Sequence, residues 1–420
     1  MARKKEDWGA LRFEAGQLFT PSTPIAVAEF FSGRKKEINQ IFEAIAERGR
    51  HAILYGERGV GKTSLSQVVP LMLPRGIRKI HHIRKAADPT DNFTSIWTKI
   101  FRDIQIITEV DGEKTTASVA DLYVGRTINP DDVIRELSSF NQNDIPIIVV
   151  DEFNEVVDPE TPQLMANTIK GLSDDGVNAT VVIVGVADNV NELIQGHESI
   201  SRCAEEVMMP RMMQDELKEV IEKRIAHLGM QIEGNAKWKI INLSKGLPTF
   251  VHGLGKFSCY SAIDRHRLTV TEEDVDKAID TILESSQQSL KQAFEVAVKS
   301  NQPTAKFRYV LTACALAKAD ESGFFTQTSL RGPMSSMLGR NIEIGHLRPQ
   351  LHELIEEKRG NVIERFGEER GYRYRFADPA MQPYVIMAAI KAGILTESAK
   401  SALSSQSDLF ANEPQRPSSR

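Results

Sequence analysis

The chain has 420 residues, room for two or three domains at about 150 residues each, so it can bury its cores without a disulfide or metal staple. Apolar residues make up 41% and charged residues 26%, a soluble globular balance that argues against disorder. With 52 Lys and Arg against 57 Asp and Glu, the net charge is −5, which excludes a globally basic coat for nucleic acid but not a local basic patch. Cys203, Cys259 and Cys314 are far apart and share no CxxC or His spacing, so neither a disulfide framework nor a structural zinc site is expected. The longest apolar runs, near 145–150 and 179–187, are too short to span a bilayer. The opening MARKKEDWGALRFEAGQ has no apolar stretch of secretory type, and a cytoplasmic, reducing setting is the default expectation.

Residues 1–28 carry Pro21 and Pro24 and read as an N-terminal arm, part of which packs. In SGRKKEINQIFEAIAERG, Ile38, Ile41, Phe42 and Ile45 fall on one helical face. HAILYGE (51–57) is a strand, followed by a glycine loop and the helix KTSLSQVVPLML. A strand over 77–84 and a helix over 92–107 come next, then a polar stretch (108–129) expected to be a surface insertion. PDDVIRELSSF (130–140) opens as a helix should, with Pro and two acids. IPIIVVDEF (145–153) is a buried strand, 162–172 a helix, ATVVIVGVA (179–187) a second buried strand and EEVMMP (205–210) a weaker third. Continuous apolar strands alternating with helices predict an α/β fold with a parallel sheet covered on both faces. After 211 the pattern is helical to about 300, with Thr271 and Asp274 spaced as a capping box. The expected domains are an arm (1–28), an α/β core (29–211), a helical lid (212–300), a third domain (301–390) and a disordered tail (391–420) rich in Ser, Gln and Pro.

Gly56-Glu57-Arg58-Gly59-Val60-Gly61-Lys62-Thr63 matches G-x-x-x-x-G-K-[ST] in full, between a strand and a helix as a phosphate loop requires. Backbone N–H groups from Gly56 to Ser64 are expected to surround the phosphates of ATP, helped by the helix dipole. Lys62 would reach the β- and γ-phosphates, and Thr63 would offer its hydroxyl to Mg²⁺. The strand Ile147-Ile148-Val149-Val150 ends in Asp151 and Glu152, at the strand end that faces phosphates in such sheets. Asp151 is the candidate for the metal and Glu152 for polarising the attacking water.

Phe31-Ser32-Gly33-Arg34 with Glu37-Ile38, about twenty residues before the phosphate loop, resembles the box that opens AAA+ ATPases of the origin-recognition and replication-initiator type and many STAND-like ATPases. The resemblance covers about 30–265. It implies an AAA+ P-loop core in which Arg34 borders the adenine. It aligns Asp188, where initiator proteins usually carry Asn, with the sensor that orients the lytic water; Asn189 is the fallback, and both residues equally suit a turn. An acid at that position implies slow turnover. Arg202 aligns with the finger that reaches a neighbouring subunit's γ-phosphate, an alternative to a plain surface arginine. Where many relatives have a G-[DN]-x-R lid, this chain has Gly246-Leu247-Pro248-Thr249, which implies a lid that packs on the nucleotide through backbone and Pro248.

Residues 306–376 read as three helices and a β-hairpin (VIERFGEERGYRYRF), the order of a winged helix, which the resembled initiator-type ATPases also carry after the lid. Arg348, Arg359 and Arg373 are the candidate phosphate contacts to DNA, helix 344–358 the expected groove-facing element, and Glu368 and Glu369 the tip of the wing. Interleaved acids fit a solvated or protein-docking surface equally well. Two readings follow from the resemblance: an ATP-hydrolysing, ATP-switched, DNA-associated homo-oligomer, or a STAND-like signalling ATPase whose third domain docks a protein. A nucleotide-binding scaffold with negligible turnover is a third.

Overall fold

In the computed structural model, which describes residues 7–405 apart from 22, 24–30, 74–78, 111–112, 142, 195–196, 301–305 and 369–370, helix α1 (Trp8–Leu18) opens the chain. Asp7 caps it by accepting from the Ala10 N–H at 3.0 Å. Two compact units follow from the backbone contacts. One comprises Pro24–Glu57 and Gly61–Pro210; the other comprises Met1–Thr23, Arg58–Val60 and Arg211–Arg420.

The first unit runs α2 (Lys35–Ala46), β1 (His51–Gly56), α3 (Lys62–Met72), β2 (Lys79–Ala86), α4 (Phe93–Phe101), β3 (Gln105–Val110), β4 (Glu113–Ser118), α5 (Pro130–Ser138), β5 (Asp144–Asp151), α6 (Thr161–Asp174), β6 (Thr180–Val186), α7 (His197–Ile200) and β7 (Ala204–Met208). Five of these strands form one parallel sheet in the order β2-β5-β6-β1-β7. β5 and β6 are buried almost from end to end, which is why they read as unbroken apolar runs. On one face, Ile53, Ile148, Val150, Val181 and Ile183 pack against Trp97, Phe101, Met165 and Ile169.

The stretch 108–129, expected as a surface insertion, contains regular structure. Ile106, Ile107 and Thr108 with Thr115 and Thr116 have strand chemistry, and β3 and β4 pair antiparallel. The following 3-10 turn, Val119–Tyr123, buries Val119, Ala120 and Tyr123 in the core. The helix expected over 92–107 ends at Phe101 for the same reason. Such short elements are not resolved by a helical period.

The second unit contains α8 (Gln214–His227), β8 (Gln231–Ile232), α9 (Gly234–Ser244), α10 (Pro248–Asp264), β9 (Thr269–Val270), α11 (Glu272–Ser285), α12 (Gln288–Val298), α13 (Phe307–Leu316), β10 (Phe325–Thr326), α14 (Arg331–Leu338), α15 (Arg348–Glu353), β11 (Ile363–Phe366), β12 (Arg373–Phe376), α16 (Met381–Lys391) and α17 (Glu397–Leu403). The capping box at α11 forms: Asp274 accepts from the backbone N–H and the hydroxyl of Thr271, each at 2.9 Å. The arm docks through α1. Arg12 pairs with Asp264 at 2.8 Å and lies 3.8 Å above the Tyr260 ring. Arg224, fully buried, donates to the Leu18 carbonyl at 3.0 Å.

The expected boundary near 300 lies inside one compact unit, which includes Arg211–Arg420. α16 packs on α9 and α11 as well as α13. Buried Arg211 joins these parts: its guanidinium donates to Gln382 and to the Lys245 carbonyl, and its N–H donates to the Glu321 carbonyl at 3.0 Å. Two further expectations need correction. The segment 344–358 is not one helix but a 3-10 turn (Ile344–Leu347), α15 with Pro349 in its first turn, and a second 3-10 turn (Glu357–Arg359). The tail expected from 391 is ordered as far as Ser405: α16 reaches Lys391, and Asn242 donates to the carbonyls of Leu403 and Ser405 at 2.8 and 2.9 Å. The rest of that tail, 406–420, and Glu369 lie outside the described residues.

Two buried imidazoles make stability pH-dependent. His51 Nδ1 accepts from the Val181 N–H at 3.0 Å, and burial pushes its pKa down to about 4. His252 Nδ1 accepts from the Thr20 N–H at 3.1 Å, and burial, reinforced by Arg224, pushes it down to about 3. Both are neutral when folded, whereas the unfolded chain binds protons below about pH 6.5, so their contribution is complete above that pH and is lost as pH falls toward 4. By pH 5 each costs about 2 kcal/mol. The unfolding midpoint in urea is expected to fall from pH 7.5 to pH 5, and His51→Asn, which keeps an acceptor but does not titrate, is expected to flatten that fall. An identical pH profile in the variant contradicts the assignment.

Candidate functional site

Because the five strands are parallel, their carboxyl ends share one edge. Gly56 ends β1, Asp151 ends β5, and β6 lies between them. Gly56 is level with Val186, and Val150 with Ile183. The two strands are thus separated by two inter-strand spacings, about 10 Å, with the loop after β1 on one side and the acids after β5 on the other.

The loop is shaped by glycine. Gly56, Gly59 and Gly61 have φ of 144°, 84° and 102°, a region where a side chain is strained. Gly56 has a further reason: a Cβ there would lie 2.4 Å from the Met209 carbonyl oxygen, which β7 brings alongside. Gly61 caps α3, so the unsatisfied N–H groups of its first turn point into the loop. Lys62, 8% exposed, donates from Nζ to the carbonyls of Gly56 and Glu57, both at 2.8 Å. Its ammonium is therefore held at the loop by its own backbone. Thr63 and Ser64 follow in the first turn of α3, half-buried, and the Ser66 hydroxyl donates to the Thr63 carbonyl at 2.9 Å. Glu57 and Arg58 lie within the loop and Val60 is buried.

Asp151 is 2% exposed and Glu152 is exposed. The Asp151 Oδ1 accepts from the Glu152 N–H at 2.9 Å. Its Oδ2 accepts from Arg84 on β2, from Nε at 3.1 Å and from Nη2 at 2.5 Å. Arg84 went unnoticed in the sequence, since only the β2–β5 register puts it beside the acid. Glu152 adopts a left-handed φ of 55°, which aims its side chain out of the strand direction. Asn154, a second unforeseen residue, accepts at Oδ1 from the Val186 N–H at 2.8 Å and ties the end of β6 to the turn after β5.

The remaining candidates are dispersed. Arg34 is 3% exposed and left-handed at φ 60°; it donates to the Pro210 carbonyl at 2.6 Å and faces Glu37 at 3.8 Å. Asp188 and Asn189 are exposed and form a turn against Glu192, which accepts from the Asp188 N–H at 2.9 Å and the Asn189 amide at 2.6 Å. Arg202 is on the surface, its side chain 68% exposed, and pairs with Asp174. Pro248 belongs to the other unit, at the first turn of α10 just after Lys245 and Gly246, both left-handed. Of the three C-terminal arginines, Arg348 is exposed. Arg373 lies 4.5 Å above the Phe324 ring and 3.7 Å from Asp320. Arg359 is committed to Glu353, to the Lys299 carbonyl and to the Phe307 face at 3.7 Å.

Among the described residues no group of His, Cys, Asp or Glu is arranged to hold a metal by itself, and no helix is long and apolar enough to cross a membrane. The family described as Novel STAND NTPase 1 matches residues 24–313. No curated protein matches the chain. Among solved structures, it is similar to the Walker-type ATPase PABY2304 of Pyrococcus abyssi at 17% identity, over 88% of this chain and 99% of that one, with a TM-score of 0.51. It also overlaps the Aeropyrum pernix ORC2 protein, solved as ADPNP–ADP complexes, at 16% identity, 90% and 98% coverage and a TM-score of 0.48.

Proposed function

As a member of the novel STAND NTPase 1 family the chain is a P-loop NTPase, and we propose that it binds ATP with Mg²⁺, hydrolyses it slowly and uses the bound state as a switch for docking a macromolecular partner. The observation that carries this reading is the loop itself: three left-handed glycines between a buried strand and a helix start, with the Lys62 ammonium held at its mouth. The residues fit both groups. The first-turn N–H groups of α3 suit phosphate oxygens. The Thr63 hydroxyl and the Asp151 carboxylate are the hard oxygen donors that suit Mg²⁺. When bound, the ion neutralises charge developing on the β- and γ-oxygens. Lys62 exchanges its loop carbonyls for those oxygens. Glu152, exposed at the strand end, accepts a proton from the attacking water.

Exposure of Arg202 and of its partner Asp174 supports a role across an interface between copies of this chain, because a group aimed at a neighbour must be reachable from outside. The acidic Asp188 supports slow turnover. In the C-terminal part, β10 joins β12 and β11 beside α13, α14 and α15, an arrangement that supports a winged helix. We read its partner as protein rather than DNA, since Arg359 and Arg375 are already compensated, the latter by Glu364 at 3.0 Å, and Arg373 faces Asp320. The setting is read as cytoplasmic.

Two experiments check this. Glu152→Gln is expected to keep ATP affinity and lose about 10²–10⁴ in turnover, as removal of a general base does; a parental rate of phosphate release rules out the role. Mixing inactive Arg202→Ala with inactive Lys62→Ala chains is expected to restore part of the ATPase rate, because one interface then pairs an intact Arg202 with an intact Lys62. No rescue, together with a rate per chain independent of protein concentration, places the whole site within one chain.

A further inference from the structure

The Asp151 carboxylate is shared with a cation from another strand. Arg84 and Asp151 lie on adjacent parallel strands, with Arg84 level with Val149 and Ala86 level with Asp151. Side chains alternate along a strand, so Arg84, Ala86, Val149 and Asp151 point to the same face. The guanidinium reaches one step forward along that face and places two N–H groups on one oxygen, Oδ2, while Oδ1 takes the Glu152 N–H. Both carboxylate oxygens are thus engaged, in a place only 2% exposed, where a charge pair is screened little by water. Arg84 itself keeps an exposed portion, 27% of its side chain, so the pair sits at the boundary between the sheet and solvent.

We propose that Arg84 is a positioning residue that competes with Mg²⁺ for Asp151 and thereby makes nucleotide binding at this site only weakly dependent on the metal. The inference rests on the nucleotide-binding reading above. A carboxylate neutralised by a guanidinium attracts a dication less than a bare one does, and Mg²⁺ can gain full use of Asp151 only as Arg84 withdraws. Without the metal, the same guanidinium keeps the acid from repelling the phosphates that enter beside it. Arginine suits the task because its planar fork brings two donors to the same oxygen at once, which a lysine point charge does not.

The test is ADP affinity by calorimetry, in excess Mg²⁺ and in EDTA, for the parent, Arg84→Ala, Arg84→Lys and Lys62→Ala chains. In the parent, the ratio of the two dissociation constants is expected to be small. In Arg84→Ala it is expected to rise about tenfold, the size of one charge-assisted hydrogen bond, with most of the change in the EDTA arm. Arg84→Lys, which keeps the charge and spares the buried acid, is expected to fall between them and gives the answer if the alanine variant does not fold. An unchanged ratio in whichever of these variants folds overturns the inference. Undiminished ADP binding by Lys62→Ala instead overturns the nucleotide-site reading on which it rests.

Discussion

Five strands running the same way deliver all their carboxyl ends to a single edge, and nearly every feature of the candidate site follows from that constraint. The sheet order puts β6 between the strand that ends in the phosphate loop and the strand that ends in two acids. On the proposed reading, a phosphate chain spanning the gap would meet N–H groups and an ammonium on one side and carboxylates on the other. The separation is set by sheet geometry and not by loop conformation. The loops are then free to take conformations a strand could not: Gly56, pressed against the Met209 carbonyl, admits no side chain at all.

Of the five described non-glycine residues with left-handed φ, His266 and Asn361 lie away from the candidate residues, while Arg34 stands in the box before the phosphate loop, Glu152 beside the metal candidate, and Lys245 at the turn into the helix that begins with Pro248. Each costs on the order of 1 kcal/mol or more and persists because surrounding contacts hold it. For Arg34 the hold is its hydrogen bond to the Pro210 carbonyl; for Lys245 it is the Arg211 guanidinium on its carbonyl. Arg211 also holds Gln382 and Glu321, which explains why the helices after 211 and the C-terminal strands and helices behave as one compact unit.

Much of this was legible in the residues. The phosphate loop, the acidic strand end and the long buried strands announce themselves because each is a contiguous pattern with one physical cause: apolar runs for strands buried on both faces, glycines for left-handed turns, acids at a strand end. What escaped was either short or long-range. The β3–β4 ribbon and the broken segment 344–359 are built of pieces too brief for a period to show. Arg84 and Asn154 act across strands, and a position within IHHIRKA says nothing of its partner until the register is known. The expected tail failed for a related reason. Its polar composition does suit solvent, but Leu403 is fully buried and Asn242 claims two carbonyls at its end.

The central claim is that the segment Gly56–Ser64 closes on the phosphates of a nucleotide through its backbone N–H groups. Amide hydrogen exchange with and without Mg²⁺ and a non-hydrolysable ATP analogue tests it most directly, because exchange reads those N–H groups themselves. The account predicts strong added protection in the loop and the first turn of α3, with a smaller effect at Asp151 and Glu152. Unchanged exchange across residues 56–64 at saturating analogue contradicts it.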